Sequence, residues 1–205
     1  MTKDKASTIW VAIGFTIAFF IIWTVSHELS GMQATRYPLY FDWERNIPFL
    51  WLAVPIYFSL DLAVTLFPLW FNNWKEAMAP ALTLIAQTLI AAPFFVLVPI
   101  ATGYENTLDG GIWGQTLFNP LGTKNISLWN HAPSLHVAYV FTIAFIVTQN
   151  KSRTFKWMTY FWAVLVSIST MFVHEHHLIC ALSGFALFAI TITTAYPALQ
   201  RKFAT

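Results

Sequence analysis

Apolar residues run through this chain in six stretches, each near the roughly 20 residues that an α-helix needs to cross the hydrocarbon of a bilayer. They fall at about 7–26, 47–70, 79–101, 133–150, 157–173 and 178–198. Lipid offers the backbone no hydrogen bonds, so only helices or closed barrels can span it. The pattern therefore predicts an all-α polytopic membrane protein with six transmembrane helices in one bundle. Of the 205 residues 57% are hydrophobic and 10% charged, against about 25% charged in a soluble domain. Residues 1–205 accordingly read as a single membrane domain. Ten Trp and nineteen Phe suit lipid-facing rings and interfacial belts. The first stretch follows a two-lysine leader without a small-residue cleavage site and reads as a retained helix. Kinks are expected in the second stretch at Pro48, Pro55 and Pro68, and in the third at Pro93 and Pro99.

Lysine and arginine set the expected orientation. With the N-terminus in the cytoplasm, Lys3, Lys5, Lys75, Lys151, Arg153, Lys156, Arg201 and Lys202 all lie inside, and only Arg36, Arg45 and Lys124 lie outside. Both termini are then cytoplasmic, in an inner (plasma) membrane protein. The outer side receives two long segments, about 27–46 and 102–132, and the short turn 174–177. It also receives all six histidines, although histidine played no part in the orientation argument. Imidazoles gathered on one membrane face suggest extracytoplasmic chemistry. With a net charge of +2 and no basic run, a nucleic-acid partner is not expected. The single cysteine, Cys180, excludes an internal disulfide and a multi-cysteine zinc site.

Two helix mouths carry the chemistry. In Asn130-His131-Ala132-Pro133-Ser134-Leu135-His136, Pro133 and Ser134 are first-turn or capping residues, which leaves backbone donors free for an anion. The Ser134 hydroxyl and the Asn130 amide add donors for a phosphate, and His136 could give a proton to a departing alkoxide. At the second mouth His176 and Cys180 are spaced i and i+4 on one helical face. A helix N-terminus disfavours imidazolium there and keeps a nitrogen nucleophile neutral. Its second ring nitrogen needs an acceptor; Glu175, Glu28, Asp109 or a backbone carbonyl could serve. The alternative at both mouths is structural: a capping serine, wetted histidines and a buried cysteine. Zinc or copper at His131, His136, His174, His176, His177 and Cys180 is a further alternative. It is set aside because His-x-His-His at a turn has no established ligand spacing, so no metal and no cofactor are expected. Asp61, within the second stretch, reads as a structural hydrogen-bonding group paired with Gln87.

Asn130-x-x-Pro133-Ser134-Leu135-His136-Val137-Ala138 resembles the second signature of the type 2 phosphatidic acid phosphatase superfamily, and more closely the branch of inositol phosphorylceramide synthases and related bacterial membrane proteins. Ser169-Thr170, five residues, His176, three residues and Cys180 resemble its third signature. Asp109-Gly110-Gly111-Ile112-Trp113-Gly114 and Ile47-Pro48-Phe49 are similar to its surroundings. The likeness spans roughly 40–190.

The resemblance implies a six-helix enzyme that cleaves or transfers a phosphoryl or phospho-head group. His176 would be the nucleophile forming a phosphohistidine, His136 the general acid and base, and Ser134 a phosphate ligand, with Asn130, Leu135 and Thr170 around the substrate. The family's orienting Asp is Cys180 here, and its first-signature cations have no counterpart, which leaves Lys124, Arg36 or Arg45 to neutralise the phosphate. A phospholipid, sphingolipid or prenyl phosphate is the expected substrate. The competing expectation is a non-catalytic lipid-binding or lipid-translocating protein on the same scaffold.

Overall fold

Four of the helices begin where the side chain of the preceding residue satisfies a free N–H group. The computed structural model describes residues 4–104 and 130–203, and its helices are α1 (Lys5–Gly31), α2 (Ala53–Leu66), α3 (Trp74–Leu97), α4 (Leu135–Val147), α5 (Arg153–Phe172), α6 (Leu178–Thr193) and α7 (Ala195–Phe203). Two 3-10 turns, Asp42–Asn46 and Phe67–Trp70, complete the regular structure. Asp4, Asn73, Ser134 and Ser152 cap α1, α3, α4 and α5 through their side chains. No strand occurs among the described residues, where a single parallel bridge ties Tyr37 to Ile100.

Four segments are long and apolar enough to cross a membrane: Ala6–Gly31, Ala53–Trp70, Trp74–Leu97 and Leu178–Phe203. The six-stretch expectation thus divides. Helix α4 is apolar but has 13 residues, about 20 Å of rise against the roughly 30 Å of hydrocarbon. Helix α5 has 20 residues but carries Arg153, Lys156 and five Ser or Thr side chains.

Helix α4 is the axis of the bundle. It is apolar all round, and Leu135, Val137–Val140, Thr142–Ala144 and Ile146 are buried, as a helix without a polar face must be. Helices α3, α5 and α6 pack on it, and α1 packs on α3. Polar side chains join the layers. The Gln87 amide donates to the hydroxyls of Thr142 (2.7 Å) and Thr191 (2.8 Å), linking α3, α4 and α6. Asp61 is therefore not the partner of Gln87. The closest backbone approach is at Gly184, where a Cβ would lie 2.3 Å from the Ser134 carbonyl oxygen.

Two expected boundaries shift for local reasons. The second helix starts at Ala53, because the stretch around Pro48 is held outside it by Leu50 N–H donating to the Phe172 carbonyl (2.9 Å). The last helix breaks at Thr194 and resumes as α7, whose final turn carries Arg201 and Lys202.

Candidate functional site

All six histidines lie at one end of the bundle. The Asn130 amide donates to the Trp23 carbonyl (3.1 Å) and Ser26 hydroxyl (3.2 Å), and His27 stacks on Trp23, which joins the end of α1 to the start of α4. The turn between α5 and α6 closes the other side. His174 adopts a positive φ of 59°, and the Thr170 carbonyl accepts from the N–H groups of Glu175 (3.0 Å) and His176 (3.1 Å). This turn brings His176 opposite His136, with ring centroids 5.8 Å apart, and His131 lies 6.2 Å from His176.

Three of these imidazoles are committed to structure. His131 Nδ1 donates to the Glu175 carbonyl (2.9 Å) and His174 Nε2 to the Ile47 carbonyl (2.8 Å). His177 is more tightly held. Its Nε2 accepts from Gly103 N–H (3.0 Å), so Nδ1 carries the proton and donates to the Glu44 carboxylate (3.0 Å). Tyr40 and Tyr104 stack on its ring at 4.7 and 4.4 Å. Glu44 is wholly buried, and it also accepts from Leu178 N–H (2.8 Å) and Phe41 N–H (2.9 Å). It thereby caps α6 from a segment more than 130 residues away, where His177 supplies no side-chain cap of its own.

His176 is the exception. Its side chain is 3% exposed, and its Nδ1 is buried without a hydrogen-bond partner among the described residues. Burial pushes its pKa well below the usual histidine range, neighbouring His136 and His131 reinforce the shift, and a backbone hydrogen bond at His131 opposes it. The ring is neutral near pH 7. Burial also lowers His174 and His177, the latter against the opposing pull of Glu44. The Tyr104 phenol, pushed up by burial and the Glu44 charge, stays protonated and donates to the His176 carbonyl (3.2 Å). Half-buried His136 stacks on Tyr57 at 4.3 Å and faces a cleft of about 90 Å³ between α1, α2 and α4.

The other residues expected at the site are placed as follows. The Ser134 hydroxyl is buried and accepts from Val137 N–H (3.4 Å) as the cap of α4, while Ser134 N–H donates to the Cys180 carbonyl (3.0 Å). Buried Cys180 thus joins the two helix mouths through its backbone. Leu135 is buried beside His136, and the buried Thr170 hydroxyl donates to the Ser167 carbonyl (2.7 Å). Asn130 keeps a buried Oδ1 without a partner among the described residues. Lys124 and Asp109–Gly114 lie outside the described residues. Among the described residues no group of three or more His, Cys, Asp or Glu side chains has metal-binding geometry. Glu44 is the residue sequence reasoning missed; its one signal is an acidic side chain inside the aromatic run Tyr40-Phe41-Asp42-Trp43.

Comparison with protein-family models, curated proteins and solved structures gives no match.

Proposed function

We propose that this protein is a six-helix membrane enzyme that cleaves or transfers a phosphoryl or phospho-head group on a phospholipid, sphingolipid or prenyl phosphate. The reading puts the histidine end outside the inner membrane and both termini in the cytoplasm. The observation that carries it is His176. Its Nδ1 is buried and unpartnered among the described residues, and its ring faces His136 across the mouths of two helices.

A neutral, desolvated imidazole is suited to in-line attack on phosphorus. Attack forms the nitrogen–phosphorus bond as the phosphorus–oxygen bond to the leaving alkoxide breaks, and His136, which takes up a proton as the phosphate anion binds beside it, delivers that proton to the alkoxide. An acceptor hydroxyl, from water or an alcohol, then returns a proton to His136 as its oxygen takes the phosphoryl group from His176. Burial strengthens the electrostatic interactions of the reacting groups.

The test is transfer of label from 32P-labelled lipids to purified protein. Wild type should retain acid-labile label, His176→Ala should retain none, and His136→Ala should turn over slower by roughly 10³-fold or more. Label persisting on His176→Ala would reject the mechanism. A second reading, a lipid-binding protein without turnover, is favoured by His176 Nδ1 having no partner among the described residues that would orient the ring for attack. Lipid binding without product from any tested donor would establish it.

A further inference from the structure

The cleft beside His136 holds a second polar group. Its walls are Phe15 and Phe19 from α1, Leu60 and Val64 from α2, and it contains both His136 and Asp61. Asp61 is exposed there, and among the described residues its carboxylate has neither an ion pair nor a hydrogen-bond donor. Gln87, the partner its sequence position suggests, is taken by Thr142 and Thr191. A carboxylate in a helix of membrane-spanning length is costly unless something compensates it.

Register gives its depth relative to the histidines. Tyr57 stacks on His136, and Asp61 follows Tyr57 by four residues on the same face of α2, so it sits about one turn, roughly 5–6 Å, further along the helix. Helix α1 meets this arm of the fold mainly at Phe67–Trp70, beyond Asp61 from the histidine end.

We propose that Asp61 is a specificity-determining residue that binds the backbone of a lipid substrate one helical turn below its phosphate. The location of the phosphate rests on the function proposed above. An ionised carboxylate only accepts hydrogen bonds. The ligand it matches therefore brings a donor at that depth, an amide N–H or a hydroxyl, with its chain along Phe15, Phe19, Leu60 and Val64. A diester backbone offers only acceptors and could bond Asp61 only at the further cost of protonating it. A site built to receive a donor discriminates strongly against the analogue that lacks it.

Photo-crosslinking in nanodiscs tests this without turnover. The probes are two diazirine phospholipids with equal chains and head group, one with an amide and a hydroxyl in its backbone and one a diester. Wild type should label with the first at concentrations roughly tenfold or more lower. Asp61→Leu should label equally with both, and Asp61→Asn, which keeps a carbonyl acceptor, should fall between. Asp61 is exposed, and removing a charge from an apolar helix favours insertion, so the variants should fold. Equal labelling of wild type, or a preference that survives in Asp61→Leu, overturns the proposal. Preference without phosphohistidine would reject the enzyme and keep the site; phosphohistidine without preference would do the reverse.

Discussion

Glu44 holds more of the histidine end in place than any group in the signature-like segments. Its carboxylate receives three donors, a buried one from His177 and part-buried ones from Leu178 and Phe41. Glu44→Ala strands the buried His177 donor, at about 1–3 kcal/mol, and removes the cap on Leu178 N–H at a further cost of about 1 kcal/mol. It should lower the thermal unfolding midpoint in detergent by several degrees. Glu44→Gln should cost less. His177 cannot change tautomer while Nε2 accepts from Gly103, so a glutamine oxygen facing His177 and Leu178 would leave one donor, Phe41 N–H, opposed by the new amide. Equal midpoints for wild type and Glu44→Ala would show that Glu44 does not anchor α6. His136 and His176 were legible from their neighbours in sequence, because capping and i, i+4 spacing are local properties. Glu44 was not, because its role depends on a loop reaching across 133 positions to His177. Ser134 as cap and Ser134 as phosphate ligand are compatible, since the cap uses a lone pair of the hydroxyl oxygen and a phosphate would take its O–H.

The helices themselves were legible because their causes are local: apolar length, proline, and capping residues such as Asn73 and Ser152. Their packing was not, and Gly184 illustrates the difference. In sequence it is one glycine in an apolar run, whereas in the fold it lets α6 approach the first turn of α4. Gly184→Ala would put a methyl 2.3 Å from the Ser134 carbonyl oxygen, a backbone atom that cannot rotate away. Overpacking of this kind costs about 1–3 kcal/mol, partly offset by the better helix propensity of alanine. The strain falls two residues before His136. Gly184→Ala should therefore lose the proposed lipid turnover while Gly14→Ala, where a Cβ meets nothing within 4 Å, keeps it. Equal turnover by the two variants would show that the α4–α6 approach does not position His136.

At the scale of the molecule, the charges and the histidines divide the bundle along its axis. Lys75 begins α3 beside the start of α1, where Asp4 N–H donates to the Asn72 carbonyl (2.8 Å), and α7, bearing Arg201 and Lys202, packs on α3. Arg153 and Lys156 occupy the first turn of α5, opposite the turn that holds His174–His177. The gradient that assigns orientation in sequence thus survives as a physical separation in the fold. What the count of six apolar stretches could not reveal is that α4, at 13 residues, is enclosed by the other helices. Cys180 makes the proposed orientation testable, since it is the sole cysteine and is fully buried, leaving no exposed thiol to compete for label. Gln33→Cys, just beyond α1 at the histidine end, and Gln149→Cys, between α4 and α5, both place a thiol at an exposed position. In intact cells a membrane-impermeant maleimide should label Gln33→Cys and leave Gln149→Cys unlabelled until the membrane is permeabilised. The reverse pattern would place the histidine end in the cytoplasm, and labelling of both in sealed cells would mean that these ends are not separated by a bilayer.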